Sequence, residues 1–253
     1  MEIDTIFENE NFVVVNKPAG VLVHGIFDKH GPKHNEETLV DWLLKNYHQV
    51  HTVGDMPVHD SSAGEFPFRP GIVHRLDRET SGAMVVALND EYFSYLKSLF
   101  QERKVEKKYW ALVWGWPKDD SGVIDKPISI RNGTVKRTVF KGRMPREAVT
   151  EYSVLKYFVD EKGEKFSLVE ASPKTGRTHQ IRVHFSSIGH SLVGDKLYGK
   201  KAGIGSLDRH FLHAHSLSFA DKEGKKHEFT APLSSDLEDA LSLLKEDPGQ
   251  SEA

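Results

Sequence analysis

Beyond residue 106 the chain is a succession of short β-rich runs: 107–115 (KKYWALVWG), near 133–140, 149–158, 166–171, 213–219 and 226–230. Only one helical pattern interrupts them, predicted to start near Thr178 and stop at Gly189. Strands that follow one another without helical crossovers cannot build a parallel α/β sheet. They pair antiparallel, so the expected class is α+β with a mixed, largely antiparallel sheet and flanking helices.

The first hundred residues fit that frame. FVVVNK (Phe12–Lys17) reads as a strand stopped by Pro18 and Gly20. Leu39, Trp42, Leu43 and Tyr47 recur at helical spacing. Residues 48–68 carry Gly and Pro breakers, scattered His and Asp and no period, and are expected to form a long surface loop. GIVH (71–74) then leads through the polar turn RLDRETSG into the apolar strand AMVVAL (83–88). Asn89 or Asp90 can cap a helix whose face is Phe93, Leu96, Leu99 and Phe100. A last helix is expected from Ser235 to about Lys245, and 246–253 as a frayed, disordered tail.

Composition narrows the class further. With 38% hydrophobic residues and a formal charge of −3 over 253 residues, the chain can bury a real core. No apolar run approaches the roughly 18 residues of a membrane span. The acidic N-terminus lacks the basic-then-apolar order of a secretory signal, so a cytoplasmic protein is expected. Cysteine is absent, which removes disulfides, thiolate zinc sites and thiol nucleophiles. The small net charge hides a strong asymmetry. Residues 97–146 hold 13 basic and 5 acidic residues, and 131–146 (RNGTVKRTVFKGRMPR) hold six basic residues and no acid. A solvated basic face would explain this run; so would a surface that follows a phosphate backbone.

Three segments carry candidate chemistry. In HRLDRETSG (74–82), Asp77 is expected in a polar turn between two apolar strands, GIVH and AMVVAL, a rigid platform for a reactive carboxylate. An Asp in such a turn also commonly does no more than order its own backbone. In PKTGRTHQIRVH (173–184), Arg177 follows a Pro-x-x-Gly turn just ahead of the predicted helix, where it could pair with a carboxylate from elsewhere or simply face solvent. His179 and His184 are five apart and no HExxH occurs, which speaks against a zinc helix. Tyr109 sits on a strand, where tyrosines are usually half-buried core residues.

Taken together, NKPAG (16–20), RPGIVHRLDRETSG (69–82), KKY (107–109), AVTEY (148–152), PKTGRTHQIRVH, GHSLVGDKLYG (189–199) and LHAHSL (212–217) resemble the RluA-type family of RNA pseudouridine synthases. The blocks occur in the family's order across roughly residues 5–235. The resemblance implies the pseudouridine synthase fold with a central RNA-binding cleft, conversion of uridine to pseudouridine in RNA, and no metal or organic cofactor. It implies that Asp77 is the catalytic aspartate, Tyr109 the tyrosine that stacks on the target base, and Arg177 the arginine that salt-bridges the aspartate. Arg75 resembles the residue that holds the target nucleotide out of the stack, and Ile181 and Leu212 line the uracil pocket. Lys136, Arg137 and Arg143 are expected to lie along the RNA backbone.

The expected partner is ribosomal or transfer RNA, and the expected state is a monomer. Residues 1–245 are expected to form a single catalytic domain with no N-terminal S4 domain. Rival readings are a non-catalytic RNA-binding module on the same scaffold, a glycoside hydrolase and a DNA-binding protein. The hydrolase lacks a second carboxylate beyond Glu79, and the DNA binder lacks a helix-turn-helix or finger signature.

Overall fold

Short apolar runs become strands and period-3.6 runs become helices. The fold comes from a computed structural model that describes residues 1–25, 36–55, 69–134, 136–199 and 203–248 in full, and 27–28, 31–32, 59–60 and 64–65 as backbone only. In chain order the elements are β1 (Asp4–Glu8), β2 (Phe12–Lys17), β3 (Phe27–Asp28), β4 (Gly31–Pro32), α1 (Leu39–Asn46), β5 (His59–Asp60), β6 (Gly64–Glu65), β7 (Ser81–Ala87) and α2 (Asp90–Gln101). There follow β8 (Glu106–Trp114), β9 (Ser121–Asp125), β10 (Ile128–Ile130), β11 (Arg137–Thr138), β12 (Arg143–Arg146), β13 (Val149–Val159) and β14 (Lys165–Pro173). The chain ends with α3 (Gln180–Ser187), β15 (Leu212–Ala220), β16 (Lys226–Thr230), α4 (Ser235–Ser242) and β17 (Lys245–Asp247). The result is a mixed, mostly antiparallel sheet with a few helices, as the strand succession implies.

The chain divides into two compact units, Met1–Val105 with Ser216–Pro232, and Glu106–His215 with Leu233–Ala253. In the first, β2 pairs antiparallel with β1 on one side and β7 on the other, from Phe12 opposite Ala87 to Lys17 opposite Gly82. Every residue of β7 is buried, so the strand is covered on both faces. Phe7, Phe12, Phe219 and Phe229 pack ring against ring in its core, with Phe12 also stacked on Tyr92. Helix α1 opens on a capping box in which Thr38 Oγ1 accepts from the Asp41 N–H and the Asp41 carboxylate accepts from the Thr38 N–H. Asn89 caps α2 by accepting from the Tyr92 N–H at 2.9 Å, a contact worth about 1 kcal/mol.

In the second unit, β13 pairs antiparallel with β14, β9 and β17, and β14 with β8. The pleat of β8 sorts its side chains between two cores. Tyr109, Ala111 and Val113 face a cluster that includes Ile181 and Phe185 of α3. Trp110, Leu112 and Trp114 face a second cluster with Leu237 and Ala240 of α4. A separate three-stranded sheet, β11-β10-β12, rests through Ile128 and Val139 on Ala148, Val183 and Tyr198.

Several expectations need correction. GIVH forms no strand: Ile72 makes only an isolated bridge to Val86, so the turn carrying Asp77 has a strand on one side alone. The 48–68 loop has structure of its own, a 3₁₀ turn at His48–Thr52 and the short pair β5–β6; its residues 56–58, 61–63 and 66–68 lie outside the described set. Helix α3 begins two residues later than expected, because His179 is left-handed at φ 57°. The run near 133–140 yields only Arg137–Thr138 as strand. The last helix stops at Ser242 rather than near Lys245, and Lys245 with Glu246 and Asp247 of the expected frayed tail pairs with β13, supplying partners for an edge that would otherwise be open; residues 249–253 lie outside the described set.

Candidate active site

The first unit carries Asp77 on a turn bolted from behind. Lys17, the last residue of β2, is completely buried, and its ammonium donates to the carbonyls of Pro18 (2.7 Å), Val21 (2.9 Å) and Arg78 (3.0 Å). An ammonium taken out of water must find such oxygens. Here they tie the NKPAG turn to the residue beside Asp77. The Gly20 N–H adds a bond to the Arg78 carbonyl at 3.0 Å, and the Arg78 Nε returns one to the Gly20 carbonyl at 2.9 Å. The Thr80 N–H closes the turn onto the Asp77 carbonyl at 3.1 Å, and Thr80, Ser81 and Leu76 are buried around it. Asp77 itself is half-buried.

His74 secures the same segment from the other side. Its Nε2 accepts from the Val85 N–H at 3.1 Å while its ring stacks on Phe100, centroids 4.4 Å apart. Gly71, at φ 67°, passes so close to β7 that a Cβ there would sit 2.3 Å from the Ala87 carbonyl oxygen, so no other residue fits. Arg75 is exposed and makes no hydrogen bond or ion pair among the described residues. Its charge is felt nonetheless. Burial, and after it the charges of Arg69 and Arg75, lower the pKa of His24.

The second unit carries Arg177, Tyr109, Ile181 and Leu212. Arg177 is exposed, yet its backbone is fixed: its N–H donates to Gln180 Oε1 at 3.0 Å and its Nε to the Glu147 carbonyl at 3.0 Å. Gln180 is 4% exposed and uses its whole amide. It also accepts from Thr175 Oγ1 and donates to the Val149 carbonyl and Thr150 Oγ1. Thr150 bonds on to His184 Nδ1 at 2.9 Å, and His184 Nε2 meets the Lys126 carbonyl at 3.0 Å. The carbonyl can only accept, so Nε2 carries the proton and Nδ1 accepts from the threonine. Burial lowers the pKa of His184, which favours this neutral form.

Tyr109, opposite Ala171 on β14, is half-buried at the border of the apolar cluster that contains both Ile181 (5% exposed) and Leu212 (4%). The fold therefore brings three residues from three separate motif blocks onto one face. Lys107, two residues before Tyr109 on β8, is half-buried too, and burial together with the Lys174 charge lowers its pKa.

Arg137 and Arg143 lie on the three-stranded sheet, flanking Ile130 from the two neighbouring strands, and Lys136 immediately precedes β11. Lys136 and Arg137 are half-buried and Arg143 is exposed. The sheet is pinned by the Arg137 N–H, which donates to Tyr198 Oη at 2.9 Å. Tyr198 is held in turn: Arg182 lies over its ring and makes a bidentate pair with buried Asp195, which also accepts from the Leu197 and Tyr198 N–H groups. Burial pushes the Asp195 carboxyl up, but the guanidinium and the two N–H groups outweigh it and hold the pKa below its ordinary value.

The charge excess of 97–146 is not uniform. Lys97, Lys104 and Lys108 pair with Asp55, Glu102 and Glu170, whereas none of the six cations of 131–146 has an ion pair among the described residues. Among the described residues no group of three His, Asp or Glu is placed to hold a metal ion. Sequence reasoning missed Lys17, His74, Gln180, Thr150 and Asp195 as positioning residues. The available signal was polarity inside otherwise apolar strand and helix patterns.

Known structures share the fold. The chain superposes on human RNA Pseudouridylate Synthase Domain Containing 1 with a TM-score of 0.72 at 26% identity, covering 99% of this chain and 91% of that one. Human RNA Pseudouridylate Synthase Domain Containing 4 gives 0.68 at 27% identity over 95% and 93%. The fold is thus that of a pseudouridylate synthase domain. In sequence, the RNA pseudouridylate synthase family matches residues 11–187. An uncharacterized RNA pseudouridine synthase of Mycobacterium bovis is 38% identical over 244 residues, covering 95% of this chain and 72% of the relative. The ribosomal large subunit pseudouridine synthase D of Zymomonas mobilis is 38% identical over 252 residues, covering 96% and 73%. The chain belongs to the RNA pseudouridine synthase family, whose members are isomerases.

Proposed function

We propose that the protein isomerises specific uridines to pseudouridine in structured RNA, acting as a cytoplasmic monomer on ribosomal or transfer RNA. In this reading Asp77 is the reacting carboxylate, Arg177 its cationic partner, and Tyr109 the ring that stacks on the target base. Arg75 keeps the everted nucleotide out of the stack, and Ile181 and Leu212 line the uracil pocket. The observation that carries the reading is the bolted turn around Asp77: a buried ammonium and further hydrogen bonds from Gly20, Arg78 and Thr80 fix a carboxylate's backbone far more firmly than turn formation requires. Relatives named for the ribosomal large subunit favour ribosomal RNA as the substrate class.

The chemistry is an internal rearrangement. The N1–C1′ bond breaks, the uracil turns over, and a C5–C1′ bond forms; the proton displaced from C5 is lost and N1 gains one, so composition is unchanged. A carboxylate serves either route, by attacking C1′ or by taking the C2′ proton to give a glycal. Both need it ionised, a form that a guanidinium partner favours. Extruding the base costs a few kcal/mol, least in loops and single strands, and a stacking aromatic offsets part of it.

The test is tritium release from RNA labelled at uridine C5. Wild type is expected to release label, and Asp77→Ala to fall to background while keeping RNA affinity within several-fold. Shown binding without release by wild type on any cellular RNA would refute the enzyme reading in favour of the RNA-binding module.

A further inference from the structure

Phe140 and Met144 are 75% and 63% exposed, on the most basic stretch of the chain. They are not loose. Val139 is packed against Ile128, Val183 and Tyr198, and Phe140, next along, has its N–H bound to Thr138 Oγ1 at 3.1 Å. Gly142 then passes so close to β10 that a Cβ would lie 2.6 Å from the Ile130 carbonyl oxygen. Met144 holds φ at 52°, a conformation an unbranched L-residue adopts only when its surroundings impose it. The turn is therefore held with its apolar side chains in water, leaving an apolar surface open to an occupant.

The surroundings identify that occupant. Six cations, no acid and no ion pair among the described residues make a surface for a polyanion. Arg137 and Arg143 rise from strands on either side of β10, roughly 10 Å apart at the backbone. A flat ring among spaced cations matches an unpaired nucleotide strand, which offers phosphates and a base face together. A second copy of the chain is disfavoured, since it would set cations against cations.

We infer that Phe140 is a base-stacking contact for an unpaired nucleotide of the RNA, seated between the phosphates held by Arg137 and Arg143. This rests on the proposed RNA substrate and adds to it a specificity contact away from the reacting base. It favours RNA whose target lies beside a loop or bulge, because a paired flanking base has no face to give.

The experiment measures anisotropy of a fluorescein-labelled RNA hairpin of about 20 nucleotides with an unpaired loop, at several salt concentrations, using wild type and the Phe140→Ala, Phe140→Leu and Phe140→Trp variants. Stacking on one base predicts that Phe140→Ala weakens binding roughly 5- to 150-fold with an unchanged salt slope. Phe140→Trp retains wild-type affinity, whereas Phe140→Leu, equally apolar but without a π-face, behaves like alanine. Equal binding by wild type and Phe140→Ala, or full retention by Phe140→Leu, would overturn the inference. So would loss of binding to vesicles of phosphatidylcholine with one-third phosphatidylglycerol while hairpin binding persists, the signature of a lipid-facing ring. Tritium release by wild type separates the two failures: release with an indifferent Phe140 sinks only the stacking contact.

Discussion

The ammonium of Lys17 donates to the carbonyl oxygen of Arg78 at 3.0 Å, across 61 residues of sequence. It joins the end of β2 to the residue beside Asp77, and with Pro18 and Val21 it forms a buried cage of oxygens. Lys17→Met keeps the volume and deletes all three bonds. Leaving those carbonyls without their partner is expected to cost about 3 kcal/mol, read from urea unfolding. Tritium release should fall more steeply than RNA affinity, because the turn loosens while the basic surface is untouched.

Gln180 stands in the same relation to Arg177. Its carbonyl oxygen receives the Arg177 N–H and its amino group reaches β13, so one amide links the loop ahead of α3 to the sheet. Gln180→Met is expected to destabilise the protein by about 2 kcal/mol and to lower kcat with little change in RNA affinity. An unchanged kcat would show that the backbone of Arg177 needs no such support.

Acid should weaken the fold through His184. Burial holds its folded pKa below the ordinary 6.5, so below that value the unfolded chain binds a proton that the folded chain refuses. The contribution is complete above about pH 6.5 and is lost as pH falls toward the depressed folded value. His24, lowered by burial and by two arginine charges, adds in the same direction. Melting temperatures taken from about pH 7.5 down to about 5.5 should fall for wild type. His184→Gln, which can still bond to Thr150 and the Lys126 carbonyl, should show a shallower slope.

The small basic sheet is expected to set affinity rather than chemistry. Replacing Lys136, Arg137 and Arg143 together with alanine removes three candidate phosphate contacts, so the log–log salt dependence of RNA binding should flatten by about 2. Single-turnover rates at saturating RNA should stay near wild type. Normal binding by the triple variant at every salt concentration would place the RNA elsewhere.

Much of this protein is legible in its amino-acid sequence. The antiparallel class follows from strands without crossovers, α1 and α2 from apolar spacing and their caps, and the catalytic candidates from motif blocks whose order is a property of sequence. The class and the helices are local or short-range features that period and caps suffice to state, whereas the catalytic candidates rest on the resemblance those blocks carry. Tertiary structure alone decided that GIVH stays irregular, that Lys245–Asp247 joins β13, and that Lys17, Gln180 and Asp195 are buried. A lysine or glutamine reads as surface wherever its partners are unknown. Its burial becomes tolerable only when chain segments distant in sequence deliver the oxygens and N–H groups that replace water.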